Sequence, residues 1–255
     1  MSDSKAWITA IRQSHDRFTT LVAGLGDDEL SGPSYASEWT IAQVASHLGS
    51  QGEIFALLLD AGLSGGPTPG GEVFAAIWDR WNALSPAQQV VESVQYNETL
   101  VARFEQLTPA EQQGVALGMF GTELDLTGLA TMRLGEHALH TWDIAVALNP
   151  SATVAPEAVD LLIDAVPQTA ARAGQPVADA KPISVLTTDP ERRFLLTLGP
   201  DLSVSPTTET DDGALQLPAE AMVRLVYGRL DPQHTPVAVA GDSRLDQLRT
   251  AFPGF

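Results

Sequence analysis

One segment limits the folds open to this chain more than any other. Arg133-Leu134-Gly135-Glu136-His137-Ala138-Leu139-His140-Thr141-Trp142-Asp143 has no proline and many good helix formers. At roughly 100° per residue, Arg133, Glu136, His140 and Asp143 fall on one arc of a helix. Leu129, Ile144 and Ala147 project into the same arc, while Leu134, Ala138, Leu139, Trp142 and Ala145 make the other side apolar too. A helix apolar nearly all round is a buried one. Ionisable groups on its inner side then need partners, a metal ion among them. Glu136 and His140 stand one above the other, which is how a helix offers two ligands to one ion. The competing reading of this face is a solvated one, with Arg133 and Glu136 as a surface ion pair.

The other periodic segments supply helices to pack against it. Trp7, Ile8, Ile11, Phe18, Leu21 and Val22 keep the helical period over residues 5–25, with His15 expected on the flank or surface. Thr40-Ile41-Ala42-Gln43 has the form of a capping box and starts a second helix. Its stripe is Ile41, Val44, Ala45, Leu48, Phe55, Leu58 and Leu59, and His47 lies beside that stripe. After a Gly/Pro-rich loop over 62–71, a short helix over 72–84 is expected to face Phe74, Ile77, Trp78 and Trp81 inward. Ser85-Pro86 opens the next helix, which runs to about Leu107, with Asn97 and Glu98 expected in solvent. Residues 108–125 read as a loop with one short helical turn. Four long helices thus occupy residues 1–149, and Asn149-Pro150-Ser151 punctuates the chain.

Beyond it the pattern changes. A helix over 155–173 precedes strand-like runs at 183–187, 193–198 and 202–204, a helix over 218–227, a short strand at Val237-Ala238-Val239 and a last helix through Leu245 and Leu248. The fold class expected is α plus α/β: a helical bundle over 1–149, then a small C-terminal α/β domain over 150–255.

Composition narrows the chemistry. A formal net charge of −18 on 255 residues repels phosphates, so nucleic acid and anionic membranes are poor partners. There is no cysteine, hence no disulfide, thiolate ligand or protein-borne thiol nucleophile. Sulfur chemistry here needs a small-molecule thiol. The N-terminal Met-Ser-Asp-Ser-Lys lacks an apolar h-region and no apolar run is of membrane-spanning length, which reads as a cytoplasmic protein. A monomer is favoured.

If His47 stands opposite Glu136 and His140, the set is two histidines and one carboxylate with an open fourth position, the pattern of a catalytic zinc site. Taken alone His47 reads as a hydrogen-bonded core histidine, and its spacing from Glu136 and His140 is a weak motif. His137 lies about 100° round from Glu136, outside that set.

Ser37-Glu38-Trp39-Thr40-Ile41-Ala42-Gln43-Val44-Ala45-Ser46-His47-Leu48, the segment Arg133 to Asp143, Arg224-Leu225-Val226-Tyr227-Gly228-Arg229-Leu230 and Phe252-Pro253-Gly254 together resemble the DinB-like, mycothiol-dependent maleylpyruvate isomerase family. The likeness spans nearly the whole chain. Gln43 departs from it, where many members carry Asp, which touches helix capping and not the metal set. The resemblance implies a DinB-like four-helix bundle with a C-terminal α/β domain, His47, Glu136 and His140 as ligands of Zn2+ or another divalent metal, and mycothiol as thiol cosubstrate.

An ion with an open position lowers a thiol's pKa and makes its thiolate available as a nucleophile at neutral pH. Addition of the thiolate to an electrophile without later expulsion of the thiol is S-transfer; addition to an activated double bond, rotation and expulsion of the thiol is cis-trans isomerisation. Asp143 is expected to orient a histidine or to serve the helix surface. Arg224 and Arg229 are expected to pair with a carboxylate of substrate or thiol, or to form ordinary ion pairs. S-transfer to a small-molecule electrophile is favoured over isomerisation of a small dianion, because cations are scarce: 14 Lys and Arg in all. A non-catalytic metal-binding or small-molecule-binding protein is the reading from a different class.

Overall fold

The structure, a computed structural model, describes residues 4–119 and 121–254; Met1 to Asp3 of the N-terminal stretch lie outside the described residues. The chain forms two compact units, Met1–Ala158 and Val159–Phe255. Among the described residues no helix is long and apolar enough to cross a membrane.

The first unit holds α1 (Ser4–Val22), α2 (Asp27–Leu30), α3 (Ile41–Ser64), α4 (Gly71–Asn82), α5 (Pro86–Glu105), α6 (Pro109–Gly114) and α7 (Leu126–Leu148). The long helices α1, α3, α5 and α7 form the bundle: α3 packs on α5 and α7, and α1 packs on α7 and α5. Their starts are written in side chains. Thr40 accepts from the Gln43 backbone N–H at 3.2 Å while the Gln43 side chain accepts from the Thr40 N–H at 2.8 Å. Ser85 and Gln88 repeat the box with Pro86 in the first turn, and Asp125 caps α7 through the Gly128 N–H. Gly65, at φ 63°, ends α3 in the left-handed region. Phe18, Ile41, Val44, Leu48 and Ile144 fill one core cluster, each side chain removed from water contributing roughly 1.5–3 kcal/mol.

Gly49 sets how closely α3, α4 and α5 approach. A Cβ there would overlap the Trp81 ring and stand 2.8 Å from the Ser93 Cα. Residues 108–125 carry the expected short helical segment, α6, with its own Thr108–Glu111 box, but where a loop is expected they also form a hairpin of β1 (Leu117–Met119) and β2 (Thr122–Leu124); three-residue strands are too short to show alternation. On α4, Ile77 and Trp81 are buried one turn apart, but Trp78 points about 100° away and is 41% exposed.

The second unit follows the start of α8 (Pro156–Ala173) and contains β3 (Ile183–Thr188), β4 (Arg192–Thr197), β5 (Ser203–Pro206), β6 (Leu215–Pro218), α9 (Ala219–Val226) and α10 (Arg244–Ala251). The sheet order is β5-β4-β3-β6, antiparallel except for the parallel β3–β6 pair. Strand β6 was not foreseen, since only Leu215 and Leu217 carry its buried face. The strand expected at Val237-Ala238-Val239 is a turn instead, with Val237 94% exposed and no neighbouring strand to pair. Gly228, at φ 72°, lies so close to Gly254 that a Cβ would overlap it, which accounts for glycine at both positions of the C-terminal motif.

Candidate metal centre

Helix α3 carries His47 and helix α7 carries Glu136 and His140, and the packing of the two helices brings these side chains together. His47 Nε2 lies 3.1 Å from Glu136 Oε2, and His140 Nε2 lies 3.7 Å from the same oxygen. One ligand atom from each residue falls within 4.8 Å of the others, a spacing that one ion can bridge. All three are half-buried. Two imidazoles and a carboxylate without sulfur suit Zn2+ or a similar divalent ion and leave a coordination position for another ligand.

Two neighbours fix the histidines. Asp143 is fully buried, and its Oδ2 stands 2.8 Å from His140 Nδ1. A carboxylate there holds the Nδ1 proton and turns Nε2 toward Glu136. Trp39 covers both rings, with centroids 5.0 Å from His47 and 5.9 Å from His140. The loop before α3 holds this indole in place: Ser34 donates to the Trp39 carbonyl, and the Tyr35 N–H donates to the Asp143 carbonyl at 3.1 Å. Nothing in the sequence marks Trp39 for this role, because an aromatic just before a helix cap gives no signal of what it covers.

The electrostatics of the cluster are set by burial and mutual charge. Burial raises the Glu136 carboxyl, but the hydrogen bond from His47 and the charges of His140, His47 and Arg133 outweigh it and bring it down to about 2. Burial lowers His47, with Glu136 opposing. Arg133 is not the surface ion-pair partner of the competing reading. Its guanidinium is fully buried, donates to the Asn97 side-chain oxygen and to the Leu48 carbonyl, and lies 5.5 Å from the Phe55 ring centre. Burial pushes it down to about 10. Asn97, expected in solvent, is buried as its acceptor, whereas Glu98 is exposed and pairs with Arg12.

His137 falls outside the triad, as its helical angle requires. It is buried against Phe18, with Nδ1 2.8 Å from Ser14 Oγ. His15 is corrected from flank or surface to core: it is 3% exposed, with its ring 6.2 Å from that of His137 and Nε2 3.1 Å from Glu98. A histidine one turn from Ile11 and Phe18 can be buried when a carboxylate reaches its outer nitrogen.

Arg224 and Arg229 lie in the second unit. Arg224 is buried, pairs with Glu220 at 2.7 Å and donates to the carbonyls of Arg229 and His234. Arg229 is half-buried and donates to the Tyr227 carbonyl at 2.8 Å.

Beside the triad is a cavity of about 370 Å³, walled by Trp39, His47, Trp78 and Trp81, with Gln43, Ser46, Ser50 and Asn82. Apart from His47, none of the described residues lining it is ionisable. A larger cavity of about 710 Å³ between α1 and α7 includes none of the three ligand-type residues.

The model of the mycothiol maleylpyruvate isomerase N-terminal domain family matches residues 11–145. Among solved structures, the chain is similar to a mycothiol-dependent maleylpyruvate isomerase, with a TM-score of 0.66 and 14% identity over 89% of this chain and 90% of that one. A mutant of such an isomerase matches with the same TM-score at 13% identity. At these identities the likeness is one of fold. A Geobacillus thermodenitrificans (strain NG80-2) protein named as a metal-dependent hydrolase is 48% identical over 46 residues, covering 18% of this chain and 26% of the relative, so the match spans about a quarter of that protein.

Proposed function

The chain belongs to the mycothiol maleylpyruvate isomerase N-terminal domain family, and from that premise we propose a zinc-dependent enzyme that uses mycothiol as a nucleophile, with His47, Glu136 and His140 as the metal ligands. The observation that carries this reading is the convergence of these three donors within 4.8 Å, in a chain with no cysteine of its own. Zinc in such a site supplies Lewis acidity that lowers the pKa of a thiol, giving a thiolate at neutral pH.

The protein's residues do the rest. Asp143 keeps His140 in one tautomer and orientation. Trp39 screens one side of the imidazoles from water. Arg133 adds buried positive charge behind Glu136, which would favour an anionic thiol group brought to the cluster. Within the second unit Arg229, the less buried of the two arginines, is proposed to bind an anionic group, and Arg224 to hold the turn that carries it through the Arg229 carbonyl.

Of the two thiol reactions, S-transfer is favoured. The thiolate sulfur bonds to an electrophilic carbon, and the leaving group departs with its electron pair. The support is the cavity beside His47, which three tryptophans line with no Lys or Arg among them to hold a dianion. Isomerisation, in which the same C–S bond forms, rotation follows and the bond breaks, is the second reading, favoured by the family match. The test is incubation of zinc-loaded protein with mycothiol and either monobromobimane or maleylpyruvate. Conjugate formation above the rate without protein supports transfer. Conversion of maleylpyruvate without conjugate supports isomerisation. Neither reaction, in protein that takes up zinc, contradicts both.

A further inference from the structure

We infer that the cavity beside His47 is a slot for an uncharged, planar aromatic part of the electrophile, with Trp78 as its specificity-determining wall. The inference rests on the thiol-transfer reading for its reaction and on the cavity's own chemistry for its ligand. Trp39, Trp78 and Trp81 line this space, and Trp39 also covers His47 and His140. An aromatic group held there stands beside the imidazoles.

The walls differ in how they are fixed. Trp81 is fully buried; its Nε1 donates to Glu53 at 3.1 Å and its ring lies 5.8 Å from the Arg80 guanidinium. It is a rigid support behind the cavity, with its polar atom already used and no face left open. Trp78 is the opposite case, 41% exposed, with Phe74 as its ring neighbour at 6.3 Å. An indole left half in water on a helix whose neighbours Ile77 and Trp81 are buried is a large apolar face available to a ligand.

Three of the polar lining residues are already engaged within the protein, Asn82 being the exposed exception. Ser46 donates to the Trp81 carbonyl, Ser50 to the His47 carbonyl, and the Gln43 side chain caps α3. The adjacent cation, Arg80, is paired with Glu53. The metal aside, a small dianion entering this space would lose its hydration without meeting a Lys or Arg among the lining residues, whereas a flat neutral ring gains stacking on indole. A volume of about 370 Å³ stands at the small end of the roughly 300–1,000 Å³ range of ligand pockets and suits one or two fused rings.

The experiment is ligand-observed NMR and calorimetric titration with 2-naphthamide, a neutral unreactive aromatic, and with fumarate, on zinc-loaded protein. Zinc content and mycothiol affinity are measured on the same samples. The expected result is binding of 2-naphthamide, weakened about 3- to 10-fold in Trp78→Ala and largely retained in Trp78→Phe, in line with the worth of an aromatic pair, and no displacement by fumarate. Trp78 is exposed, so its substitution leaves the bundle folded, which circular dichroism checks. No binding of 2-naphthamide, equal binding in Trp78→Ala, or displacement by fumarate overturns the slot, even where zinc and mycothiol bind as proposed. Naphthamide binding that depends on Trp78 in protein that takes up neither zinc nor mycothiol supports the slot and removes the thiol-transfer reading.

Discussion

Asp143 holds His140 from within the core: its carboxylate is fully buried and lies 2.8 Å from His140 Nδ1, while the opposite ring nitrogen faces Glu136. The two residues are three apart on α7, so the helix itself fixes their geometry. Asp143→Asn keeps the shape but removes the charge that holds the Nδ1 proton. The expected outcome is zinc affinity lowered about 10- to 100-fold, measured by competition with a chromophoric chelator, with His140→Ala weaker still. Unchanged affinity in Asp143→Asn would show that Asp143 does not position the histidine.

Gly49 is expected to tolerate no side chain. Gly49→Ala drives a methyl into the Trp81 ring and toward the Ser93 backbone. An overpacked site of this kind costs about 1–3 kcal/mol, seen as a lower urea midpoint at unchanged slope, together with altered Trp81 fluorescence. Wild-type stability would contradict the close packing of α3, α4 and α5.

Acid is expected to weaken the bundle through His15. Burial holds its imidazole below the ordinary value of 6.5, with Glu98 opposing. The unfolded chain therefore binds the proton first. Stability is intact above pH 6.5 and declines as pH falls from 6.5 toward the lower folded-state value. His137, buried and held well below 6.5, acts in the same direction. Urea midpoints between pH 8 and pH 5 should fall in the wild type and fall less in His15→Gln. Identical slopes in the two proteins would exclude His15 as a source of the decline.

Arg224 is expected to matter for the stability of the second unit before it matters for chemistry. Arg224→Ala leaves Glu220, which is 16% exposed, and two carbonyls without their cation. Breaking a buried pair from one side costs about 3 kcal/mol or more, which thermal unfolding would register. Arg229→Ala is expected to unfold at nearly the wild-type temperature and to raise the KM for mycothiol or substrate. Unchanged KM in Arg229→Ala would remove the proposed anion-binding role of that residue.

Much of this was legible in the residues because it is local. The Thr40–Gln43 and Ser85–Gln88 boxes and the apolar stripes fix where α3 and α5 run, and the four-residue step from Glu136 to His140 fixes their shared face. What was not legible depends on partners far along the chain. Asn97 looks like any polar helix residue until Arg133 is placed against it, 36 residues away. His15 reads as surface until Glu98 of α5 reaches it. Trp78 and Trp81 share a helix, and only the packing on Gly49 decides which is core. The second unit was less legible because its strands span four to six residues, and β6 is recognisable only once it pairs in parallel with β3.

The absence of cysteine makes one measurement decisive. X-ray absorption at the zinc edge, on zinc-loaded protein with and without saturating mycothiol, reports whether sulfur joins the metal. No thiolate in the protein can supply it, so a sulfur scatterer at about 2.3 Å that appears only on adding mycothiol is the predicted result, with nitrogen and oxygen neighbours alone before addition. A spectrum still without sulfur at saturating mycothiol would contradict the account.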